Sequence, residues 1–315
     1  MRAGTDASPL ERLTGRPEEG VMEIPGSIHA AMLTPLTEDA GVATAAIEPL
    51  ADFILSRGVD GLYVGGSTGE AMLMSRDERA EVLRATSAAA QGRGALIAHV
   101  GAASTHDAVA LARIAADAGY DAVAAVPPFY YKFSFDEIAD YYRAIADAAG
   151  LPLMVYNIPA LTGVALQTDE LIGLLLESSV AGIKYTAKDL FEFTRLREAV
   201  PDKKCFFGSD EMFIAAVAAG TDGGIGSTYN LIGDVYVGIQ RAVAAGDLET
   251  ARRLQAKSHG LIKILLETGV VEGLKYAMTK VGVPVGPCRR PFRPAPSHAL
   301  AKLDAWLDAE MRIAA

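Results

Sequence analysis

The chain has 315 residues, 50% of them hydrophobic and 22% charged, with a formal net charge of −10 at pH 7. That balance belongs to a folded globular protein, and the acidic surplus argues against nucleic acid or an anionic membrane as a partner. Two cysteines, Cys205 and Cys288, lack metal-ligand spacing, and the five histidines contain no HxxxH pair. Both facts argue against a zinc site, and unpaired thiols suggest a reducing, cytoplasmic location. No apolar run approaches the ~18 residues of a membrane span.

Residues 1–26 show neither periodicity nor the apolar core of a signal peptide, and are expected to form a flexible leader, with Met22 as an alternative start. From Ser27 onward, short apolar runs alternate with longer amphipathic ones. The short runs are Ser27–Leu33, Gly61–Val64, Ala95–Val100, Asp121–Val126, Leu151–Tyr156, Val180–Lys184, Lys203–Phe207 and Asp222–Gly226. They lack polar alternation, as strands covered on both faces do. Helical spacing fills the intervals at Ala45–Arg57, Ser75–Gln91, Thr105–Ala118, Phe135–Ala149, Thr168–Leu176 and Asp189–Val200. Ser75 and Glu78 form a capping box, Thr105 and Thr168 are expected N-caps, and Gly58, Gly119, Gly150 and Gly220 stand where helices should end.

Eight strand–helix units predict a TIM (β/α)8 barrel over residues 27–246. An open, doubly wound sheet is the alternative, but no GxGxxG follows the first strand. Helical patterns at Leu248–Thr268, Val271–Val281 and Ser297–Ile313, with a proline-rich loop at Pro284–Pro296, predict a C-terminal helical extension over residues 247–315.

The active site of such a barrel gathers at the C-terminal ends of its strands. Lys184 closes an apolar run there, where desolvation would favour a neutral, nucleophilic amine able to form a Schiff base with a carbonyl. A strand-end lysine that merely reaches solvent is the simpler alternative. Tyr156 ends the neighbouring strand, where a phenol could relay protons or simply pack. The Gly65–Gly69 loop, with Ser67 and Thr68, could receive a carboxylate on its amides and hydroxyls. Gly223–Ser227 suits either a phosphate cradle or a tight, close-packed turn. Asp210 and Glu211 could bind a polyol or cap a helix, and Met212, Met72 and Met74 read as core filler.

The stretches Gly65–Glu70 (GGSTGE), Tyr156–Gly163 (YNIPALTG), Gly182–Thr186 (GIKYT) and Thr221–Asn230 (TDGGIGSTYN) together resemble the pyruvate-dependent lyase family. That family includes N-acetylneuraminate lyase and dihydrodipicolinate synthase, and the resemblance runs from about Gly26 to the C-terminus. Ser67 in place of threonine, and Leu161 where the synthases usually carry arginine, resemble the lyase branch. The resemblance implies reversible cleavage of N-acetylneuraminate to N-acetylmannosamine and pyruvate, with another 2-keto-3-deoxy sugar acid as the alternative substrate. It further implies that Lys184 forms the Schiff base and Tyr156 moves the proton of the C4 hydroxyl. Ser67 and Tyr130 would complete the relay, Tyr130 coming from a neighbouring subunit of a homotetramer. Ser67 and Thr68 would hold the carboxylate, and Thr186, Gly208, Asp210, Glu211 and Ser227 the hydroxylated tail. No metal or organic cofactor is implied. Tyr185 and Ser209 depart from the family pattern beside the tail-binding positions.

Overall fold

The computed structural model describes residues 23–311. Eight parallel strands close into a barrel in sequence order, the last pairing with the first. They are β1 (Ile28–Ala31), β2 (Gly61–Val64), β3 (Ala95–His99), β4 (Ala122–Ala125), β5 (Leu153–Asn157), β6 (Val180–Tyr185), β7 (Lys204–Phe207) and β8 (Gly223–Gly226). Between and after the strands lie α1 (Ile47–Ser56), α2 (Arg76–Ala90), α3 (Thr105–Asp117), α4 (Phe135–Ala149), α5 (Pro159–Thr162), α6 (Thr168–Leu176), α7 (Leu190–Ala199), α8 (Phe213–Ala218) and α9 (Tyr229–Ala244). Three further helices follow, α10 (Leu248–Thr268), α11 (Val270–Lys280) and α12 (Ser297–Glu310).

Strand residues alternate between two apolar layers, because successive side chains leave opposite faces of a strand. The outer layer, between strands and helices, takes Leu62, Val64, Val123, Val155, Ile183 and Phe207. The inner layer takes Tyr63, Ile97, Met154, Tyr156, Phe206 and Ile225. Register puts Tyr156 beside Lys184 and Lys184 beside Phe206, so these three side chains share the barrel interior. Filling the barrel this way makes it a packed core whose chemistry can only open at one end.

Local signals mostly hold, with small shifts. Ser75 and Glu78 form the expected box, and Gly150 ends α4 in the left-handed region at φ 60°. The caps of α3 and α6 fall one residue earlier than expected. Ser104 accepts the Asp107 N–H, and Gln167 with Glu170 caps α6, while Thr168 donates to Glu192 instead. Most of the expected leader, including Met22, lies outside the described residues. Residues 23–26 differ from that expectation. Ile24 is fully buried in the inner layer and Glu23 pairs with Lys204 at 3.0 Å, because an open barrel end would leave apolar side chains wet.

The C-terminal helices grip the rim of the barrel. Glu70, last residue of the Gly65–Glu70 loop, is held in the left-handed region at φ 57° by two ties. Its carboxylate pairs with Lys275 of α11 at 2.6 Å and accepts the Arg289 backbone N–H at 2.6 Å. Arg289 in turn clasps Glu78 of α2 at 2.7 Å. Breaking a buried pair strands a charge in low dielectric, so Lys275→Ala is expected to lower stability by about 3–5 kcal/mol. Lys302→Ala, which breaks an exposed pair with Glu267, should stay within about 1 kcal/mol. Denaturant titration of the two variants checks this, and equal small losses would contradict it.

Candidate active site

The C-terminal mouth of the barrel centres on Lys184. Its side chain is buried, with Nζ 4.1 Å from the centre of the Tyr156 ring and 4.2 Å from that of Tyr63. Burial in this apolar setting lowers the amine from its ordinary 10.5 to about 7, and Asp210 only partly offsets the effect. A lysine that is substantially neutral near pH 7 is a nucleophile, so the alternative of a solvated strand-end ammonium does not describe this side chain. Tyr156 is pushed up to about 12 by burial, with the nearby hydroxyls of Ser67 and Thr186 acting the other way. Its phenol therefore stays protonated at neutral pH.

The loop after β2 lies across the mouth and is held from below. Gly65 turns it at φ 74°, and its carbonyl accepts the His99 Nδ1–H at 2.9 Å. His99 Nε2 accepts the Val126 N–H at 3.3 Å, so the ring is neutral with its proton on Nδ1. Burial likewise drives the imidazole well below its usual range. Thr34 donates to the Gly69 carbonyl at 2.8 Å. These ties leave Ser67 half-buried, and Thr68 Oγ1 lies 2.7 Å from Ser227 Oγ on the loop after β8. Hydroxyls from the ends of β2 and β8, the two strands that flank β1, thus meet at the mouth.

Asp210 lies on the loop after β7, and its burial raises the carboxyl to about 6 against the opposing hydrogen bonds from Thr228. It accepts the Thr228 N–H at 2.9 Å and the Thr228 hydroxyl at 2.6 Å. The Thr228 hydroxyl meets Tyr236 at 2.6 Å, and Tyr236 meets Ser258 of α10 at 2.9 Å. Gln255 closes the network by donating to Ser258 and to the Asp210 carbonyl. Asp210 is therefore positioned from the helices behind it and does not cap the turn it begins. Glu211 is more exposed, its carboxylate 3.5 Å from Lys188.

Glycines here make room. A Cβ on Gly208 would fall 2.0 Å from Thr186 Oγ1 and 3.3 Å from Lys184 Cε. One on Gly226 would fall 2.0 Å from an Asp210 carboxylate oxygen, and one on Gly224 2.2 Å from the Tyr229 hydroxyl. The Gly223–Gly226 run is strand β8 itself, packed against side chains, so the structure favours the close-packing reading over a phosphate cradle. Thr186 Oγ1 is buried without a hydrogen-bond partner among the described residues and faces the space beside Gly208.

Lys184, Tyr156, Ser67, Thr68, Thr186, Gly208, Asp210 and Ser227 thus converge on one mouth. Tyr130 does not join them within one chain: it is 87% exposed and left-handed at φ 84° on the loop after β4. Tyr185 faces outward, packing on Phe193 and donating to Glu192 at 2.6 Å, so it does not border the mouth. Met72 is a correction: a short helical turn lifts it out of the core, where it lines a cleft of about 310 Å³ with Ser67, Phe129, Leu161 and Phe292. Sequence reading missed Tyr63 and His99. Their inward parity on β2 and β3, immediately before glycine-bearing strand ends, is the signal that could have found them.

A closed β/α barrel with a desolvated amine among phenols and hydroxyls at its mouth defines an enzyme of carbonyl chemistry. The chain belongs to the Dihydrodipicolinate synthetase family, whose sequence profile matches residues 25–310. It is 48% identical over 276 residues to the N-acetylneuraminate lyase of Rhizobium meliloti, covering 88% of this chain and 92% of that one. Identity to the Escherichia coli N-acetylneuraminate lyase is 46% over 282 residues, covering 88% and 94%. Among solved structures, CdNal from Clostridium difficile in complex with mannosamine is similar with a TM-score of 0.87 at 34% identity, covering 90% of this chain and 98% of that one.

Proposed function

We propose that this protein is a carbon–carbon lyase that reversibly cleaves N-acetylneuraminate to N-acetylmannosamine and pyruvate through a Schiff base on Lys184. The observation that carries the mechanism is the buried amine of Lys184, lowered to about 7 between two phenol rings. The substrate follows from the similarity to N-acetylneuraminate lyases over most of their length.

The neutral amine attacks the keto carbon, the keto oxygen leaves as water, and the resulting iminium withdraws electrons from C3. The C3–C4 bond then breaks to an enamine while the C4 hydroxyl gives up its proton. Tyr156, too weak an acid to be ionised beforehand, takes that proton as it passes its own onward, with Ser67 as the adjoining hydroxyl. Ser67, Thr68 and the amides of their loop hold the carboxylate. Thr186, Gly208, Asp210, Glu211 and Ser227 hold the polyol tail, where the Asp210 network keeps an acceptor aimed at hydroxyls.

Tyr130 enters from a neighbouring copy in a homotetramer. Its exposed ring packs edge to face on that of Tyr131, itself 69% exposed, an apolar patch of the kind that a subunit covers. The partners are then a sugar acid, pyruvate and further copies of the chain, with no cofactor. No helix among the described residues is long and apolar enough to cross a membrane, and the free thiols Cys205 and Cys288 suit a reducing cytoplasm.

Incubation with pyruvate and borohydride, followed by intact-mass analysis, tests the Schiff base. No adduct on Lys184 would sink the mechanism, and an adduct without cleavage of N-acetylneuraminate would redirect it to another 2-keto-3-deoxy sugar acid. Tyr156→Phe separates the two steps: turnover should fall about 10²- to 10⁴-fold while the pyruvate adduct still forms. Loss of the adduct in that variant would assign Tyr156 to Schiff-base formation instead.

A further inference from the structure

We infer that Tyr63 acts with Tyr156 as a two-sided aromatic cradle that stabilises the cationic Schiff base, a role that rests on the Lys184 chemistry proposed above. Tyr63 is fully buried on the inner face of β2. Its ring centre lies 4.2 Å from Lys184 Nζ, as close as the Tyr156 ring at 4.1 Å. The two rings meet edge to face, 5.9 Å apart at 82°, so the amine lies in the angle between two π faces. The motif itself makes space for the ring. A Cβ on Gly66 would fall 2.7 Å from Tyr63 Cε1, so any side chain at position 66 would press on the ring.

The chemistry explains why a ring suits this position better than a carboxylate. The lysine must be neutral to attack and positively charged once attached. A carboxylate in contact would favour the cation at both stages and hold the free amine as unreactive ammonium. An aromatic face attracts a cation through its quadrupole without adding net charge, a milder pull. Asp210 acts on the amine through its charge from the loop after β7, while both rings lie against Nζ.

The cradle has a distinctive pH signature. Neutral amine plus keto acid plus one proton gives iminium plus water, whereas ammonium plus keto acid gives iminium plus water with no net proton uptake. Above the amine's titration near pH 7, charge appears only in the adduct, so the rings favour adduct formation. Below it, the ammonium already enjoys the same contact and the advantage cancels. A residue that merely fills space would show no such dependence.

The test replaces residue 63 with phenylalanines of increasing ring fluorination, which keep the ring's shape while draining its π face, taking Tyr63→Phe as the reference. The readout is the pyruvate concentration giving half-maximal adduct, trapped with cyanoborohydride and read by intact mass. At about pH 9 it should rise stepwise by a total of about 3- to 30-fold, with a much smaller rise at about pH 6. Tyr63→Leu should follow the same pattern at full amplitude. Indifference to fluorination at the higher pH, or equal losses at both, overturns the cradle alone. Absence of trapped pyruvate on the wild-type enzyme overturns the Schiff base and the cradle together.

Discussion

Replacing Lys184 with alanine is expected to abolish pyruvate trapping and lower turnover by more than about 10³-fold, while leaving the barrel folded. No other amine shares the contact with Tyr63 and Tyr156 among the described residues, so nothing nearby can take over the attack. The same substitution should change how stability depends on pH. Folding lowers this amine from 10.5 to about 7, so between those values the unfolded chain binds the proton that the native chain has released. Stability contributed by this group therefore rises with pH across that window, and the penalty is greatest below about pH 7. Lys184→Ala removes the penalty but leaves a cavity, so its melting temperature relative to the wild type's should be highest toward the acid end and fall as pH rises. Circular dichroism melts at several pH values, paired with an activity assay, check both halves. Substantial residual turnover would contradict the assignment, and a melting-temperature difference that does not change with pH would contradict the burial argument.

Gly208→Ala carries the second large effect, with no reacting group removed. Its new methyl would fall 2.0 Å from Thr186 Oγ1 and 3.3 Å from Lys184 Cε. The neighbouring strand cannot retreat, because Lys184 and Tyr185 pair in register with Phe206 and Phe207 immediately before the glycine. Overpacking of this kind costs about 1–3 kcal/mol. The larger consequence is functional, since displacement of a reacting group by about 1 Å can cost about 10²-fold in rate. The expected outcome is a modest drop in melting temperature with kcat reduced about 10²-fold. Wild-type kinetics in a folded Gly208→Ala protein would show that Lys184 and Thr186 have more freedom than the packing indicates.

Much of this architecture was legible from residue order. Eight apolar runs separated by helical spacing predict the barrel, and the closed order of strands agrees with it. Boundaries were less legible: Ser104 and Gln167 cap α3 and α6, although the adjacent threonines carry equally suitable hydroxyls. Backbone angles choose between such neighbours, and they depend on how the preceding loop leaves its strand. Met72 eluded the reading for a related reason, since a methionine on a short surface turn has the same composition signal as one in a core.

The site divided along the same line. Lys184 and Tyr156 stood out because each ends an apolar run, and the chemistry of an amine or phenol is intrinsic to its type. The chain alone determined those identities, the strand ends that carry them, and the glycines that leave space between them. Only the closed barrel decided that Lys184 would be dry, that Tyr63 would face it, and that Asp210 would be tied through Thr228 and Tyr236 to α10. A lowered amine and a ring contact are effects of proximity and low dielectric between residues far apart in the chain. Desolvation needs walls on every side, and those walls exist only once β8 has closed against β1.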